Sequence, residues 1–539
     1  MRPSSEAASV PRYADRAPPD AAPEGMPAPP APGRLELVLL VVYLLLLIAF
    51  ALHHELWRDQ VRPLNIVRES ASLPDLLHRL RAEGHPVLWY LVLYAGHAAL
   101  GHHLAIQPLT VAMAAAAAGV FAVFSPFTKL EKTLFLLGLV PLYGYPFASS
   151  GGYPLAMLLL FIFCVFYRAR FRRITPVAAA LFLLSQTIAA AFVLSASLLF
   201  ALLIEVLLFP PPEAEGRRAV SSSALGLVAL GMVITGLRLI PEGGTLVTDA
   251  PSRGLEGLRA AIPSAVLSHG AFAALAFGSI WFPVRLLAAW TYAFLLRKPT
   301  LVLALMGILV GLQLQNDFVY PARHWHMGFV YLAFVAVLWM DAVTGNQWTS
   351  PRGELGKVVA FARWSRAWVV PLLFASQVMF SIRPVLADWR LPYSSSRAFG
   401  NWIRARPELR DAILVGEPDY FMESVAYYVD NPIFLPREER FGKVVSFTVR
   451  NRQSLTLEEL LETARRLQTV HHKPVLITLG HPLDRGMLFF FSYGKEFVLP
   501  AATVDRFVRE TIKVASFREV LSGQDESYDV YRLKGSVGE

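Results

Sequence analysis

Residues 34–60 read RLELVLLVVYLLLLIAFALHHELWRDQ, and this stretch decides the fold class. Arg34 precedes the apolar run Leu35–Leu52, which is long enough to cross a bilayer as a helix. Basic residues favour the cytoplasmic flank of a span, so Arg34 predicts that this helix begins in the cytoplasm. The charged residues that follow Leu52 would then form an external loop. The stretch predicts an integral membrane protein.

The composition of the whole chain supports this prediction. Of 539 residues, 55% are hydrophobic and 17% are charged, whereas soluble domains contain about 25% charged residues. This excludes an ordinary cytosolic protein and a disordered chain. The single cysteine excludes a disulfide scaffold and a thiolate metal cluster. We assign the net charge of +9 to cytoplasmic loops, not to nucleic-acid binding.

The chain divides into a tail, a membrane domain and a C-terminal domain. Residues 1–33 are rich in Pro and Ala and predict a disordered cytoplasmic tail. Residues 34–390 predict a transmembrane domain with about 11–13 helices. After the first helix, the candidate spans are Val87–Gly101, Leu104–Phe124, Leu134–Phe147, Pro154–Tyr167, Ile174–Val193, Ala196–Phe209, Ala224–Ile240, Val266–Trp281, Val284–Leu296, Leu301–Leu314, Met327–Met340 and Trp368–Ile382.

Basic clusters set the expected orientation of these spans. Clusters that read as cytoplasmic are Arg168/Arg170/Arg172/Arg173, Arg217/Arg218, Arg297/Lys298 and Arg352/Lys357/Arg363/Arg366. Two full crossings between Val87 and Phe124 would instead place Lys129 and Lys132 outside. We therefore expect that one short span, either Val87–Gly101 or Leu134–Phe147, is not a plain crossing.

Residues 391–539 have the composition of an α/β domain. The expected strands are Ala412–Gly416, Val444–Phe447, Pro474–Leu479 and Tyr528–Leu533. A capping box at Thr456–Glu459 predicts a helix that ends near Val470. The last span follows the basic segment Arg352–Arg366, so this domain is expected on the outer, periplasmic side.

The loop at residues 53–86 contains the first candidates for chemistry. Glu55 and Asp59 are four residues apart, so on a helix they would face the same side. Two carboxylates at the membrane surface can act as a general base and as a metal or hydroxyl ligand. The alternative is an amphipathic juxtamembrane helix with solvated charges.

The motifs of this loop resemble those of the GT-C superfamily of membrane glycosyltransferases. Glu55-x-x-x-Asp59 is followed by Glu83-Gly-His-Pro86 at the start of the next apolar run. The family 39 branch, with the protein O-mannosyltransferases and the lipid A aminoarabinose transferases, is the most similar. There the loop carries an acidic pair and a His-Pro-Pro-type element. Here the pair aligns as Asp59-Gln60, and Val87 replaces the second proline.

The resemblance extends to about residue 345 and implies transfer of a sugar from a polyprenyl-phosphate donor. The acceptor would be a glycan, lipid or protein of the cell envelope, at the outer face of the plasma (inner) membrane. In a single inverting displacement, Asp59 would accept the proton of the acceptor. Glu55, with or without a divalent cation, would orient the acceptor. The supporting residues of the loop would be His54, Gln60, Glu83 and His85.

The donor phosphate needs cationic partners at the membrane surface. A second external segment, Asp317–His326, offers Arg323 and His324 to bind it and Tyr320 to position it; Arg68 of the first loop is a further candidate. The alternative for this segment is an interfacial belt of aromatic and basic residues. The segment Tyr143–Tyr153 predicts irregular backbone, either a pocket or a helix connection. We take His97, His102 and His103 as structural.

Two other classes of function remain open. A secondary transporter or lipid flippase would also have many spans, broken helices and buried charges. Against it, the hydrophobic spans show no internal repeat, and the acidic residues lie in an external loop. A catalytically silent membrane scaffold is the third possibility, because Gln60 replaces the second acid of the motif.

Overall fold

The computed structural model describes residues 33–149, 151–240, 284–318, 324–344, 351–484, 489–492, 494–521 and 526–534, with a few more between 259 and 266. The predictions for the tail at 1–32 and for the span Val266–Trp281 therefore lie outside the described residues, apart from Val266 itself. The protein is mostly helical, with a smaller region of sheet at its C-terminal end.

The membrane bundle is built from long apolar helices. Their bounds are Arg34–His53, Leu88–Leu100, His102–Phe124, Lys129–Leu136, Gly152–Tyr167, Ile174–Ser185, Ala189–Leu208, Arg218–Leu239, Val284–Leu295, Pro299–Phe318, His324–Val343 and Gly353–Arg390. Within the described residues, seven helices are long and apolar enough to cross a membrane. Three shorter apolar helices accompany them: Leu88–Leu100, Gly152–Tyr167 and Ile174–Ser185.

Several predicted spans have different bounds in the structure. The expected span Ile174–Val193 is wrong, because the helix ends at Ser185 and a new one begins at Ala189. The expected span Leu134–Phe147 is divided between the helix Lys129–Leu136 and a π-helical segment, Val140–Ala148. The last helix is much longer than expected, since it continues from Gly353 to Arg390 through the basic segment.

One end of the bundle carries residues 53–86, and we call it the loop end. Here the first helix, the π-helical segment and the last helix meet. His54 Nδ1 lies 2.8 Å from Asp388 Oδ2 in the last helix. Gln60 Nε2 donates a hydrogen bond of 2.7 Å to the carbonyl oxygen of Phe147. These contacts fix the first loop to two distant parts of the chain.

The opposite end, which we call the basic end, collects the basic clusters. Arg366 Nη1 lies 3.1 Å from Glu131 Oε1. Lys298 Nζ lies 3.0 Å from Asp341 Oδ1. Further ion pairs at this end join Arg170 to Glu205 and Arg363 to Asp341. Residues that the sequence assigns to the cytoplasm therefore lie together.

The helix Leu88–Leu100 does not connect the two ends. Its residues Trp89 and Leu93 pack in one cluster with the first loop and with Tyr427 of the C-terminal domain. Directly after it, the ring of His102 lies 6.3 Å from the ring of Tyr427. The helix thus begins and ends at the loop end. This resolves the expected conflict over Lys129, because only one crossing precedes that residue after the first loop.

The C-terminal domain contains a mixed sheet. Its strands are β1 (Ile413–Glu417), β2 (Ile433–Leu435), β3 (Arg440–Phe441), β4 (Ser454–Thr456), β5 (Val475–Leu479), β6 (Phe489–Ser492), β7 (Lys495–Val498), β8 (Thr511–Phe517) and β9 (Tyr528–Leu533). One sheet has the order β3-β2-β1-β5-β9-β8, with β1 parallel to β2 and β5. A smaller sheet has the order β4-β7-β6. The helices are Ser396–Arg404, Met422–Tyr428, Leu457–His471 and Ala501–Glu510.

Most predicted elements of this domain are present. The helix Leu457–His471 begins with the predicted capping box, in which Thr456 and Glu459 bond each other's backbone N–H. The expected strand Val444–Phe447 is wrong. Its backbone bonds to a side chain instead of a neighbouring strand, because Val445 N donates to Glu423 Oε1 at 2.7 Å.

The C-terminal domain packs directly on the first loop. The loop helix Arg58–Glu69 contacts the helix Met422–Tyr428. Arg62 forms a bidentate pair with Glu83, with N–O distances of 2.7 and 3.1 Å, and a second ion pair with Glu423. Because Arg62 is held by carboxylates from both sides, it joins the loop to the domain.

Candidate active site

Glu55 lies in a short non-helical segment between the first helix and the loop helix, which begins only at Arg58. The expectation that Glu55 and Asp59 share one helical face is therefore wrong. The first helix ends at His53 and the loop helix begins at Arg58, so Glu55 belongs to neither helix. Glu55 Oε1 lies 3.8 Å from Arg397 Nε of the C-terminal domain, and 14% of the Glu55 side chain is exposed.

The surroundings of Glu55 are acidic and half-closed. Burial raises the pKa of the Glu55 carboxyl to about 7. The charges of Asp388 and Glu526 raise this pKa further, whereas Arg397 lowers it. Glu55 Oε2 is buried and has no hydrogen-bond partner among the described residues. A carboxyl that is half protonated near neutral pH can both accept and return a proton.

Asp59 occupies a more open position on the loop helix. Arg58 Nε donates to Asp59 Oδ1 at 3.1 Å, and 35% of the Asp59 side chain is exposed. Arg58 also ties this helix to the acidic group beside Glu55, because its backbone N–H donates to Glu526 Oε1 at 2.7 Å. Glu526 is buried, and burial raises the pKa of its carboxyl. Glu526 thus contacts the backbone of the loop helix next to Asp59 and also acts on Glu55 through its charge.

Gln60 is at the centre of a buried hydrogen-bond chain. Its Oε1 lies 3.2 Å from His54 Nε2 and accepts a bond of 3.3 Å from the backbone N–H of Trp57. Its Nε2 donates to Phe147 O, while the other ring nitrogen of His54 contacts Asp388. The predicted supporting residues His54 and Gln60 therefore position the loop against the bundle.

Glu83 and His85 come after the loop helix in the sequence and lie near it in the structure. Glu83 binds Arg62 through both carboxylate oxygens. His85 is exposed to solvent but is surrounded by protein. Loss of solvation by the surrounding protein lowers the pKa of the His85 ring, while the charges of Glu83 and Asp59 oppose the decrease. Because the charge of Asp59 acts on His85, the two side chains lie in the same part of the loop end.

The predicted phosphate-binding residues are only partly described. Tyr320 and Arg323 lie outside the described residues, as does the side chain of His324. At the end of the same segment, the ring of His326 lies 6.4 Å from the ring of Tyr153 and nearly parallel to it. This contact brings the second external segment to the segment Tyr143–Tyr153, which was predicted to be a pocket or a connection.

Arg68 has a different setting from the one expected for a phosphate ligand. Arg68 Nη1 donates to the carbonyl oxygen of Ala426 at 2.9 Å, and Nη2 lies 3.9 Å from Asp430 Oδ1. Both partners belong to the C-terminal domain. Arg68 therefore contributes, like Arg62, to docking of that domain.

A divalent cation does not fit the residues that we expected to bind it. Within the described part of the chain, no group of three His, Cys, Asp or Glu residues is arranged to hold a metal ion. Glu55 faces Arg397, and Asp59 is paired with Arg58. Because hard cations take several oxygen ligands, two separate carboxylates with cationic neighbours form a poor site.

Three residues of this site were missed in the sequence. Asp388 lies at the end of the last membrane helix, where a buried carboxylate is a recognisable signal of function. Arg397 and Glu526 are in the C-terminal domain, more than 300 residues after the first loop. Nothing in their local sequence indicates that they meet Glu55, since only the docking of the domain brings them there.

Comparison with known proteins gives distant similarity to a solved structure. No family model and no curated protein matches the chain. Among solved structures, the chain is similar to a cryo-EM structure of the arabinofuranosyltransferase AftD from Mycobacteria, with 12% identity and a TM-score of 0.35. The match covers 93% of this chain and 40% of the other, so the chain spans about two fifths of that structure's length. The function therefore has to be inferred from the site.

Proposed function

We propose that this protein is a membrane glycosyltransferase of the GT-C type, which moves a sugar from a polyprenyl-phosphate donor to a glycan, lipid or protein acceptor. The observation that carries the proposal is the carboxyl of Glu55. It lies at the loop end, with a pKa of about 7 and one oxygen that is unbonded among the described residues. A general base works best when its pKa is near the working pH.

The sequence suggests Asp59 as the base and Glu55 as the residue that orients the acceptor. The geometry favours the reverse assignment. Glu55 would accept the proton of the acceptor hydroxyl as its oxygen attacks the anomeric carbon. The bond from that carbon to the phosphate oxygen would break, and its electron pair would leave with the polyprenyl phosphate. Asp59, which is more exposed, would orient the acceptor. General-base catalysis of this kind contributes about 10²- to 10⁴-fold.

The leaving phosphate needs positive charge in the transition state. Arg323 and His324, with Tyr320, remain our proposal for this role, because His324 begins the helix that places His326 beside Tyr153, and the other two come shortly before it in the sequence. We leave Arg68 out of the phosphate site, since the C-terminal domain occupies its guanidinium. No step of the reaction as proposed uses a metal ion.

The charge distribution supports an external site. The clusters around Arg170, Lys298 and Arg366 lie at the basic end, together with the start of the first helix. By the positive-inside rule this end is cytoplasmic. The loop end and the C-terminal domain would then be periplasmic or extracellular, and the protein would reside in the plasma membrane.

The experiment measures release of polyprenyl phosphate, because this product is independent of the sugar and of the acceptor. Purified full-length protein is incubated with lipid-linked sugars and an acceptor fraction from cell envelopes, and the lipid products are quantified by mass spectrometry. We expect release by the wild type and a decrease of about 10²-fold or more for Glu55→Gln. Asp59→Asn should lose less, roughly tenfold.

Glu462→Gln is the matched control, because Glu462 is an exposed acid on the helix Leu457–His471. It should release polyprenyl phosphate at the wild-type rate. Release that is absent from the wild type, or equal in Glu55→Gln and the wild type, would contradict the proposal. Movement of intact lipid-linked sugar across the bilayer without cleavage would instead favour a flippase.

A further inference from the structure

A recess opens at the loop end, where the C-terminal domain meets the membrane bundle. Its volume is about 250 Å³, and its lining residues are Leu56, Gln107, Arg397, Asn401, Arg404, Tyr427 and Tyr428. Pockets that enclose a whole drug-sized ligand have volumes of roughly 300–1,000 Å³. This recess is smaller and suits a headgroup better than a complete molecule.

The polar part of the lining comes mainly from one amphipathic helix, Ser396–Arg404. Arg397, Asn401 and Arg404 are spaced four and three residues apart, so they share one face. The opposite face, with Phe399 and Ile403, is buried in the core of the domain. The lining contains two arginines and no carboxylate. Glu55 lies 3.8 Å from Arg397 and compensates its charge in part, so the basic character of the recess rests mainly on Arg404.

Two of these side chains present donors at the rim. Arg404 Nη2 donates to Asn401 Oδ1 at 2.5 Å, and both side chains are exposed. Because the amide oxygen of Asn401 is used in this bond, its NH₂ group is the part that can meet a ligand. Arg397 is fixed in place, since its Nη2 donates to the carbonyl oxygen of His54 at 2.7 Å.

The recess lies where two candidate membrane spans come together. Gln107 is near the beginning of the candidate span Ala105–Phe124. Its Nε2 donates at 2.7 Å to the carbonyl oxygen of Ala51, near the end of the candidate span Arg34–His53. Leu52, the next residue, is 78% exposed. An apolar chain could therefore continue from the recess along this surface.

We propose that this recess binds the phosphate-bearing headgroup of an anionic lipid from the leaflet at the loop end. The guanidinium of Arg404 and the amide of Asn401 would donate charge-assisted hydrogen bonds to the phosphate oxygens. The lipid chains would pass over Leu52 into the bilayer. Such binding requires no sugar transfer, so it can be tested separately from the function proposed above, although Arg397 is also the cation beside Glu55.

The test uses the full-length protein in detergent and isothermal titration calorimetry with three probes. These are dioctanoyl phosphatidic acid, the uncharged dioctanoylglycerol and inorganic phosphate. We expect phosphatidic acid to bind and the other two to bind far more weakly. Arg404→Gln should weaken phosphatidic acid binding about tenfold or more, since it removes a charged phosphate contact. Asn401→Ala should weaken it less.

Arg410→Gln provides the matched control, because Arg410 is an exposed arginine of the same domain outside the recess. It should bind phosphatidic acid like the wild type. Unchanged affinity in Arg404→Gln, or an equal loss in both arginine variants, would overturn the site. If inorganic phosphate binds as tightly as phosphatidic acid and loses affinity in Arg404→Gln, the ligand is a free phosphate and the lipid assignment is wrong.

Discussion

Acidic side chains lie at both ends of the bundle, but they have different numbers of hydrogen-bond donors around them. At the basic end, Glu205 accepts hydrogen bonds from Tyr167 at 2.7 Å and Thr300 at 2.6 Å, and it pairs with Arg170. At the loop end, the nearest cation to Glu55 is 3.8 Å away, and one carboxylate oxygen is without a partner in the described residues.

This difference separates structural from reactive acids. A buried carboxylate with a full set of donors is stable as a charged group and holds helices together. A carboxylate with few donors and acidic neighbours keeps its proton to a higher pH. Glu55 belongs to the second kind, and its oxygen remains available to a substrate. The comparison therefore supports the proposal that the loop end holds the chemistry, while the acid of the basic end holds helices together.

The largest expected effect concerns the sidedness of the two ends, which is an all-or-none property. Single cysteines at Ser72→Cys and Ser454→Cys, in a background with Cys164 replaced, should react with an impermeant thiol reagent in intact cells. Gly216→Cys, at the basic end, should react only after permeabilisation; an added side chain there meets open space. Labelling of Gly216→Cys in intact cells would show that the basic end faces the outside, and the predicted orientation would be wrong.

The next effect is on stability. Glu205→Ala should lower the free energy of unfolding by roughly 3–5 kcal/mol, because Arg170 would be left buried without its partner. Glu55→Gln should change it by less than about 1 kcal/mol, since the carboxylate has few bonds to lose. Both are measured by denaturant unfolding in detergent. Similar losses in the two variants would remove the distinction between the ends.

A smaller effect is expected on the pH dependence of polyprenyl phosphate release. Glu55 must be deprotonated to act as a base, so release should decrease as the pH falls below about 7 and be constant above it. Arg397→Gln removes the cation that lowers this pKa, so the midpoint should move to higher pH. At pH 7 the rate should decrease roughly two- to tenfold.

The alkaline plateau of Arg397→Gln should stay close to that of the wild type, because the change acts on protonation and leaves Glu55 in place. Arg410→Gln should keep the wild-type midpoint. A midpoint that moves to lower pH in Arg397→Gln would show that Glu55 is not the titrating base.

No effect is expected from deletion of residues 1–33. Their composition cannot form a core, and they would lie on the side of the basic end, away from the chemistry. The shortened protein, beginning with an added Met before Arg34, should insert and release polyprenyl phosphate at the wild-type rate. Normal insertion with loss of release would show that the tail takes part.

The sequence predicted the kind of fold better than the course of each helix. Hydrophobic runs revealed the membrane helices, and the capping box at Thr456 identified a helix to within one residue. Hydropathy could not distinguish Leu88–Leu100, which stays at the loop end, from a true span. Its apolar residues are buried by protein as well as by lipid, and a hydropathy window responds equally to both.

The sequence predicted only those residues of the candidate site that lie close together in the chain. The first loop contains Glu55 and Asp59, and their motif was visible in the sequence. The neighbours that raise the pKa of Glu55, Asp388 and Glu526, come from the last helix and the C-terminal domain. Such long-range contacts leave no spacing pattern in a single sequence. The expectation that one helical face unites the two acids is wrong because the first helix ends at His53, before Glu55.

The amide of Gln60 has a consequence for how a lipid would approach the site. Its NH₂ group donates to the carbonyl of Phe147 while its oxygen lies toward His54 and Trp57. A carboxylate at this position could not donate, and it would add a negative charge near Asp388, which His54 joins to Gln60. The neutral amide makes the electrostatic potential around these residues less negative. Under the proposed function, an anionic headgroup that approaches the loop end would therefore meet a weaker repulsive field.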